Sequence, residues 1–289
     1  MQETNIHIAD DHWDQVIEPR ARFFDLNLQE VWRYRDLLML FVKRDFVAQY
    51  KQTVLGPLWH FIQPIFTTLM FLFIFGKVAN IPTDGIDAIP FYMSGITIWN
   101  YFSSCLTATS STFVANAGIF GKVYFPRLVI PLSTVMSNMV KFGIQFLLLL
   151  SVMIFYGIKT GHFHFGLSWL LIPVLVLMMA GMGLGLGIII SSLTTKYRDF
   201  NVLIGFAIQL LMYATPVAYP LSFLKDKPYA AWVAWNPLSP IVESFRYALF
   251  GTGTLDVVHL IYSAVFIIIV LFLGMLIFSK VERTFMDTV

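Results

Sequence analysis

The chain has 289 residues, 57% of them hydrophobic and 12% charged, with a mean hydropathy of +0.73 and a formal net charge of +2. That charge fraction is about half that of an average soluble domain. A soluble fold could not hide so much apolar surface, so lipid must act as its solvent, and there only helices or closed barrels span. The small net charge leaves no nucleic-acid footprint.

The long apolar runs favour helices over the two-residue alternation of a barrel. A single cysteine, Cys105, excludes an internal disulfide framework and reads as a small packing residue. The expected class is an all-α polytopic membrane protein.

Residues 1–27 are polar and acidic (Asp10, Asp11, Asp14, Glu18) and read as a cytoplasmic extension. No cleavable signal is expected, since the first 50 or so residues are charge-rich, and the first apolar span should serve as internal signal. Residues 28–56 change character. Val31, Tyr34, Leu38, Phe41 and Phe46 recur near helical spacing, with Arg33, Asp36, Lys43 and Arg44 between them. That pattern predicts an amphipathic helix lying in the membrane interface; the alternative is a helix packed on the protein itself. Gly56-Pro57 ends it.

Residues 57–289 form the expected transmembrane domain. Six apolar segments, at 58–78, 91–114, 128–156, 167–193, 202–220 and 260–278, approach the roughly 20 residues that cross a ~30 Å core. The second is atypical, because its latter half is rich in Ser and Thr (Ser103, Ser104, Thr107, Thr109 and neighbours). Such a face needs protein or water beside it. Lys and Arg concentrate before the first span, at Lys122 and Arg127, at Lys196 and Arg198, and at Lys280 and Arg283. The positive-inside rule then puts both termini in the cytoplasm, which requires an even number of spans.

Between the fifth and sixth spans, Trp232, Trp235 and Tyr229 alternate with Pro228, Pro237 and Pro240. The segment is too broken to cross and too aromatic for a free loop. It reads as short re-entrant helices before the last span, or as a folded extracellular cap. Glu243 and Arg246 are three apart and can pair on one helix face. With Trp232 and Trp235 they form an expected external gate.

Several patterns mislead. Gly181, Gly183, Gly185 and Gly187 lie in an apolar run without the strand–helix context of a dinucleotide loop. Spaced in fours, they read as helix-packing pairs. Gly118 to Lys122 has the wrong spacing for a phosphate loop, and His162 and His164 lack neighbouring ligands. Asp84 and Asp87 sit in a loop that reads as a simple turn rather than the acids of a glycosyltransferase or polymerase. No catalytic or metal residues are expected, and the chain does not read as an enzyme.

Two further patterns suggest sites. Residues 115–127 carry apolar Ile119, Phe120, Val123 and Tyr124 in a cytoplasmic loop, so they are expected to fill a groove of a partner; the alternative is packing on the chain's own interfacial helix. Thr134, Asn138, Lys141 and Gln145 share one face of the third span. Lys141 lies about 14 residues, ~21 Å, beyond Arg127. The stripe is expected to line a pathway and bond sugar hydroxyls, to bond helix-end carbonyls, or to snorkel.

Five segments taken in order resemble the polysaccharide-exporting branch of type-2 ABC transporter permeases, which export O-antigen, capsule or teichoic acid. They are Trp32 to Leu38 with Lys43-Arg44-Asp45, Tyr50 to Trp59, Asn116 through Gly121 to Arg127, Thr215-Pro216-Val217, and Asn236-Pro237-Leu238 with Glu243 and Arg246. The resemblance implies a homodimer in the bacterial inner membrane. Two copies of a cytosolic ABC ATPase would dock on it, through Ile119, Phe120, Lys122, Val123, Tyr124, Phe125 and Arg127. ATP and Mg would bind that partner, with no cofactor in this chain. The cargo would be a lipid-pyrophosphate-linked polysaccharide, O-antigen foremost, its head group met by Arg33, Arg35, Lys43, Arg44 and Lys51. A small-molecule or drug permease is the nearest alternative.

Overall fold

The computed structural model describes residues 28–51, 53–120, 122–123, 125–161, 166–194, 199–228, 230–253 and 255–285. Among these the chain is predominantly helical, with no strand. The expectations on residues 1–27, His162, His164, Lys196, Arg198, Tyr124 and Tyr229 lie outside the described residues.

Helices α1 (Leu28–Arg33) and α2 (Arg35–Tyr50) make up the segment expected to be amphipathic. Its apolar stripe does not face lipid. Val31, Leu38 and Phe41 are buried against the chain's own Phe120, Phe125, Val129 and Phe278. The opposite face exposes Trp32, Met39, Leu40 and Val47 among the cations. The segment is thus apolar on two sides, and the protein takes the one that sequence periodicity picks out.

A 3-10 turn (Gly56–Leu58) leads into α3 (Trp59–Phe71), which widens into a π turn (Leu72–Val78). After a loop come α4 (Ala88–Ser110) and α5 (Thr112–Phe120), then α6 (Val129–Thr160). A second 3-10 turn (Leu167–Leu170) opens α7 (Leu171–Thr194), followed by α8 (Phe200–Tyr213). The segment that follows holds a 3-10 turn (Leu221–Leu224), α9 (Ala230–Ala234) and α10 (Ser239–Phe250), before the final α11 (Val257–Phe285).

Among the described residues four stretches are long and apolar enough to cross a membrane: Gly56–Val78, Val129–Thr160, Leu167–Thr194 and Val257–Val281. Two of the six expected spans are not among them. α8 has only 14 residues, about 21 Å of helix. α4 has 23 residues but most of them are enclosed, packed between α3, α6, α7 and α10. Thr109 and Ser110 are buried against protein and Ser103 and Ser104 are half-buried, while Thr107 is exposed, so most of its polar side is sheltered from lipid.

The α4–α7–α11 layer depends on close backbone approach. A Cβ on Gly183 would sit 2.7 Å from the Cβ of Cys105, and one on Gly187 would sit 2.6 Å from that of Thr109, both on α4. On the other side of α7, a Cβ on Gly185 would meet Val270 at 2.9 Å and one on Gly181 would meet Ile267 at 3.0 Å, both on α11. The four glycines serve two interfaces, one pair each.

Candidate functional site

The late motifs of the sequence meet at one junction. α8 ends at Tyr213, and the chain then turns through Thr215-Pro216-Val217 with its carbonyls pointing inward. Arg246 on α10 collects them. Its Nη1 donates to the Pro216 carbonyl at 2.6 Å and its Nη2 donates to that of Val217. From the other side Asn236 Nδ2 donates to the Ala214 carbonyl at 3.1 Å and to Thr215 Oγ1 at 3.0 Å. Asn236 Oδ1 in turn accepts from the Leu238 N–H at 3.1 Å, just ahead of α10. A non-helical turn next to lipid must have its backbone groups satisfied by protein, and these two side chains do that.

Glu243 pairs with Arg246 at 3.1 Å, one helical turn apart as the spacing predicts. Glu243 also accepts the Leu221 N–H at 3.2 Å, and the Arg246 guanidinium lies 4.0 Å over the Phe91 ring. The pair is not a loose external contact, however. Arg246 is 2% and Glu243 6% exposed. Together they clamp the 215–221 turn to α4 and α10. Of the four expected gate residues, only Trp232 and Trp235 are exposed, and Trp235 rests edge-on against Tyr262 of α11, ring centroids 5.2 Å apart. The gate expectation therefore divides into a fixed clamp and two surface tryptophans.

Farther along, Asp256 caps α11. Its Oδ1 accepts from the Val258 and His259 N–H groups at 3.0 and 3.1 Å, and its Oδ2 lies 2.7 Å from His259 Nδ1. These bonds, led by the backbone N–H of His259, hold the exposed Asp256 carboxyl below the usual carboxylate range.

At the opposite end of the bundle, five phenylalanines from four parts of the chain meet. Phe41 lies 5.8 Å from Phe125, Phe125 lies 5.9 Å from Phe120, Phe120 lies 6.0 Å from Phe113, and Phe113 stacks on Phe278 at 4.6 Å. Phe120 is 3% exposed. This corrects the docking expectation for Phe120 and Phe125, which are core residues, and for Arg127, which is buried with its guanidinium 5.5 Å from the Phe120 ring. Ile119 is half-buried in the same cluster. Lys122 and Val123 remain open to a partner, Val123 at 58% exposure.

The five expected head-group cations do not converge. Arg35, Lys43 and Arg44 leave α2 in different directions, Lys43 and Arg44 about 100° apart. Arg44 is already paired with Asp45 at 2.8 Å and lies over Phe41. Arg33, Arg35, Lys43 and Lys51 are exposed.

The polar stripe of α6 enters a cavity of about 160 Å³ inside the protomer. Asn138, Lys141 and Gln145 line it; Thr134 does not, and bonds the Ile130 carbonyl of its own helix at 3.0 Å. Across the cavity stand Gln49 of α2 and His60 and Gln63 of α3, with Asn100, Ser103 and Ser104 of α4. The stripe faces a partly open pocket bordered by three other helices of the same chain. A second, larger cavity of about 840 Å³ opens at the far end of the bundle, between Asp87, Tyr156, Trp169 and Phe250.

Residues 36–250 match the ABC-2 type transporter family. The chain belongs to that family. The match starts in α2 and ends with the last residue of α10, so it takes in the clamp, the polar cavity and four of the five clustered phenylalanines, all but Phe278. The chain is 30% identical over 255 residues to an O-antigen export system permease protein, RfbA, of Klebsiella pneumoniae, covering 87% of this chain and 94% of that one. Identity to the O-antigen export system permease protein RfbA of Myxococcus xanthus is 28% over 266 residues, covering 91% and 98%. The polysialic acid transport protein KpsM of Escherichia coli is similar at 24% over 252 residues, covering 85% and 93%. As an ABC-2 family member with several apolar spanning helices, the chain is a multi-pass membrane permease subunit, and ATP hydrolysis belongs to a separate subunit.

Several residues of this ABC-2 permease escape sequence reasoning. His60 and Gln63 are polar at adjacent positions of one helix face in an otherwise apolar span, a signal of the kind that marks the α6 stripe. Gly95 gives no such signal, because its role depends on a residue 151 positions later, Arg246.

Proposed function

We propose that this chain is the permease subunit of an ATP-driven exporter that moves a lipid-linked polysaccharide, O-antigen foremost, out of the cytoplasm across the bacterial inner membrane. The observation that carries this reading is coverage. Relatives named for O-antigen export align over 94% and 98% of their own lengths, leaving no separate domain to account for their activity. Two copies of the chain would form the pathway, because a long polymer needs a continuous route. Each copy would dock one cytosolic ABC ATPase subunit, which would bind ATP and Mg.

In this reading the membrane domain has six spans with both termini cytoplasmic. α4 is the second, since its 23 residues give about 34 Å of helix and most of them are buried in protein. α8 is the fifth. Its shortfall is completed by the buried turn that Arg246 and Asn236 hold, so α9 and α10 re-enter from the outer side. Residues 1–27 are a cytoplasmic extension, 28–56 the interfacial segment and 57–289 the transmembrane domain. Lys122 and Val123 supply the exposed part of the ATPase contact. Trp232 and Trp235 are the mobile part of the exit, and the Glu243–Arg246 clamp is its base.

Deleting the gene tests the cargo directly. Lipid-linked glycan should accumulate, identified by mass spectrometry, and an ATPase subunit should co-purify with the tagged permease. Normal glycan levels together with altered sensitivity to small toxic compounds would instead indicate a small-molecule permease.

A further inference from the structure

The cavity between α2, α3, α4 and α6 has a chemistry that the export reading does not use. Among the described residues lining it there is one ammonium, Lys141, and no carboxylate. Asp45 of α2 acts on Lys141 electrostatically, but Arg44 already holds that carboxylate at 2.8 Å. Asn138 is 2% exposed; beside it lies the Cys105 thiol, a weak acceptor, and its Nδ2 has no oxygen partner. The Asn100 amide donates to Gln145 Oε1 at 3.5 Å, which leaves the Gln145 NH2 as a donor. Ser103 and Ser104 add hydroxyls. A buried donor without an acceptor costs about 1–3 kcal/mol, and an uncompensated charge costs more. The missing component is an acceptor that carries negative charge.

The depth of the cavity narrows the choice. Lys141 is 12 residues into α6, about 18 Å from its start. That is not the middle of a membrane. α6 has 32 residues, about 48 Å, against ~30 Å of hydrocarbon, so much of it overhangs. The cavity is lined by His60 and Gln63, in the first two turns of α3, where that span enters at Gly56. Lys141 therefore sits near the membrane–water boundary, at the level of phosphate head groups. At about 160 Å³ the cavity exceeds the ~30 Å³ share of one water several-fold, enough for a phosphate with its first waters.

We propose that this cavity is an anion site within one protomer that takes a phosphate group. Lys141 supplies the charge, and Asn138, Gln145 and the serines supply the hydrogen bonds. The phosphate comes either from solution or from the head group of a lipid reaching in past Gln49 and Gln63, both exposed at the mouth. The site requires neither the polysaccharide nor the ATPase, so it stands or falls apart from the export reading.

The test uses the full-length permease in nanodiscs, followed by its thermal unfolding. One arm uses neutral phosphatidylcholine discs and titrates inorganic phosphate against sodium chloride at equal ionic strength. The other leaves phosphate out and adds phosphatidylglycerol to the discs. A rise in Tm that Lys141→Met weakens at least about tenfold in apparent affinity supports the site, and Lys141→Arg should retain most of it. A Lys141-dependent rise in the first arm assigns the site to free phosphate; one in the second arm alone assigns it to a lipid head group. If Lys141→Met fails to fold, Gln63→Glu decides. It places a carboxylate at the exposed mouth and should abolish the rise. No Lys141- or Gln63-dependent rise in either arm overturns the proposal. So does a Lys141-dependent rise with a neutral oligosaccharide and none with phosphate, which would return the cavity to sugar binding.

Discussion

The Arg246 guanidinium occupies the space a side chain at residue 95 would need: a Cβ on Gly95 would lie 2.7 Å from Arg246 Nη2 and 2.5 Å from the Val217 carbonyl oxygen. Gly95 is therefore the opening in α4 through which an α10 cation reaches the turn after α8. The obstructing atom is backbone, so it cannot swing aside. Gly95→Ala should cost about 1–3 kcal/mol by overpacking, read as a lower Tm of the purified permease. An unchanged Tm would mean that the turn shifts freely and the clamp is loose.

Removing the cation tests the clamp from the other side. Arg246→Met strands the buried Glu243 carboxylate and frees the Pro216 and Val217 carbonyls. Losing one partner of a buried pair costs about 3–5 kcal/mol. Adding Glu243→Gln to Arg246→Met should recover part of that loss, because the stranded charge is then gone. A double-mutant cycle in thermal unfolding measures the recovery; strictly additive losses would show that the two side chains act independently.

The glycines of α7 separate packing from propensity. Gly187→Ala drives a methyl to 2.6 Å from the Thr109 Cβ and should destabilise by about 1–3 kcal/mol. Gly143→Ala on α6 meets nothing within 4 Å and should stabilise by about 0.5–1 kcal/mol through helix propensity alone. Opposite signs of the two Tm shifts are the expected result.

Coupling to the ATPase is best probed where the loop is exposed. Lys122→Glu with Val123→Asp should release the co-purifying ATPase and leave the Tm of the permease unchanged. Phe120→Ala opens the phenylalanine cluster instead and should cost about 3–5 kcal/mol, so any ATPase loss in that variant follows from unfolding. Retention of the ATPase by the Lys122/Val123 variant would move the contact elsewhere.

Asp256 gives a pH dependence of definite sign. Its carboxyl is held low in the folded chain, chiefly by the His259 backbone N–H. Its contribution is therefore fully present above the unfolded carboxylate pKa and is lost as pH falls through the lower folded value. Asp256→Ala should be less stable than the native chain at neutral pH. The two unfolding curves should converge at acid pH. A gap that stays constant with pH would show that the charge of the cap does not matter.

The sequence by itself determined the membrane class, the helical content, the family and the pairing of the α7 glycines. These follow from quantities summed over long windows or fixed by local spacing: apolar run length, charge fraction, and residues four apart on one helix face. Glu243 and Arg246 were likewise readable as a pair, because three residues of helix bring them together whatever surrounds them.

Only the tertiary structure decided which side of each helix meets protein. The stripe of Val31, Leu38 and Phe41 is equally apolar whether it faces lipid or a neighbouring helix, and periodicity carries no sign for that choice. The same holds for Phe120 and Phe125, which look like a docking surface until Phe41 and Phe278 are brought beside them from distant parts of the chain. α4 shows the converse. Its hydropathy is too low for a span facing lipid, because its solvent is the rest of the protein. Lys141 seemed deep when counted along its own helix. The structure sets it beside His60 and Gln63, in the first turns of α3, so its level depends on how neighbouring helices are staggered and not on position in one of them.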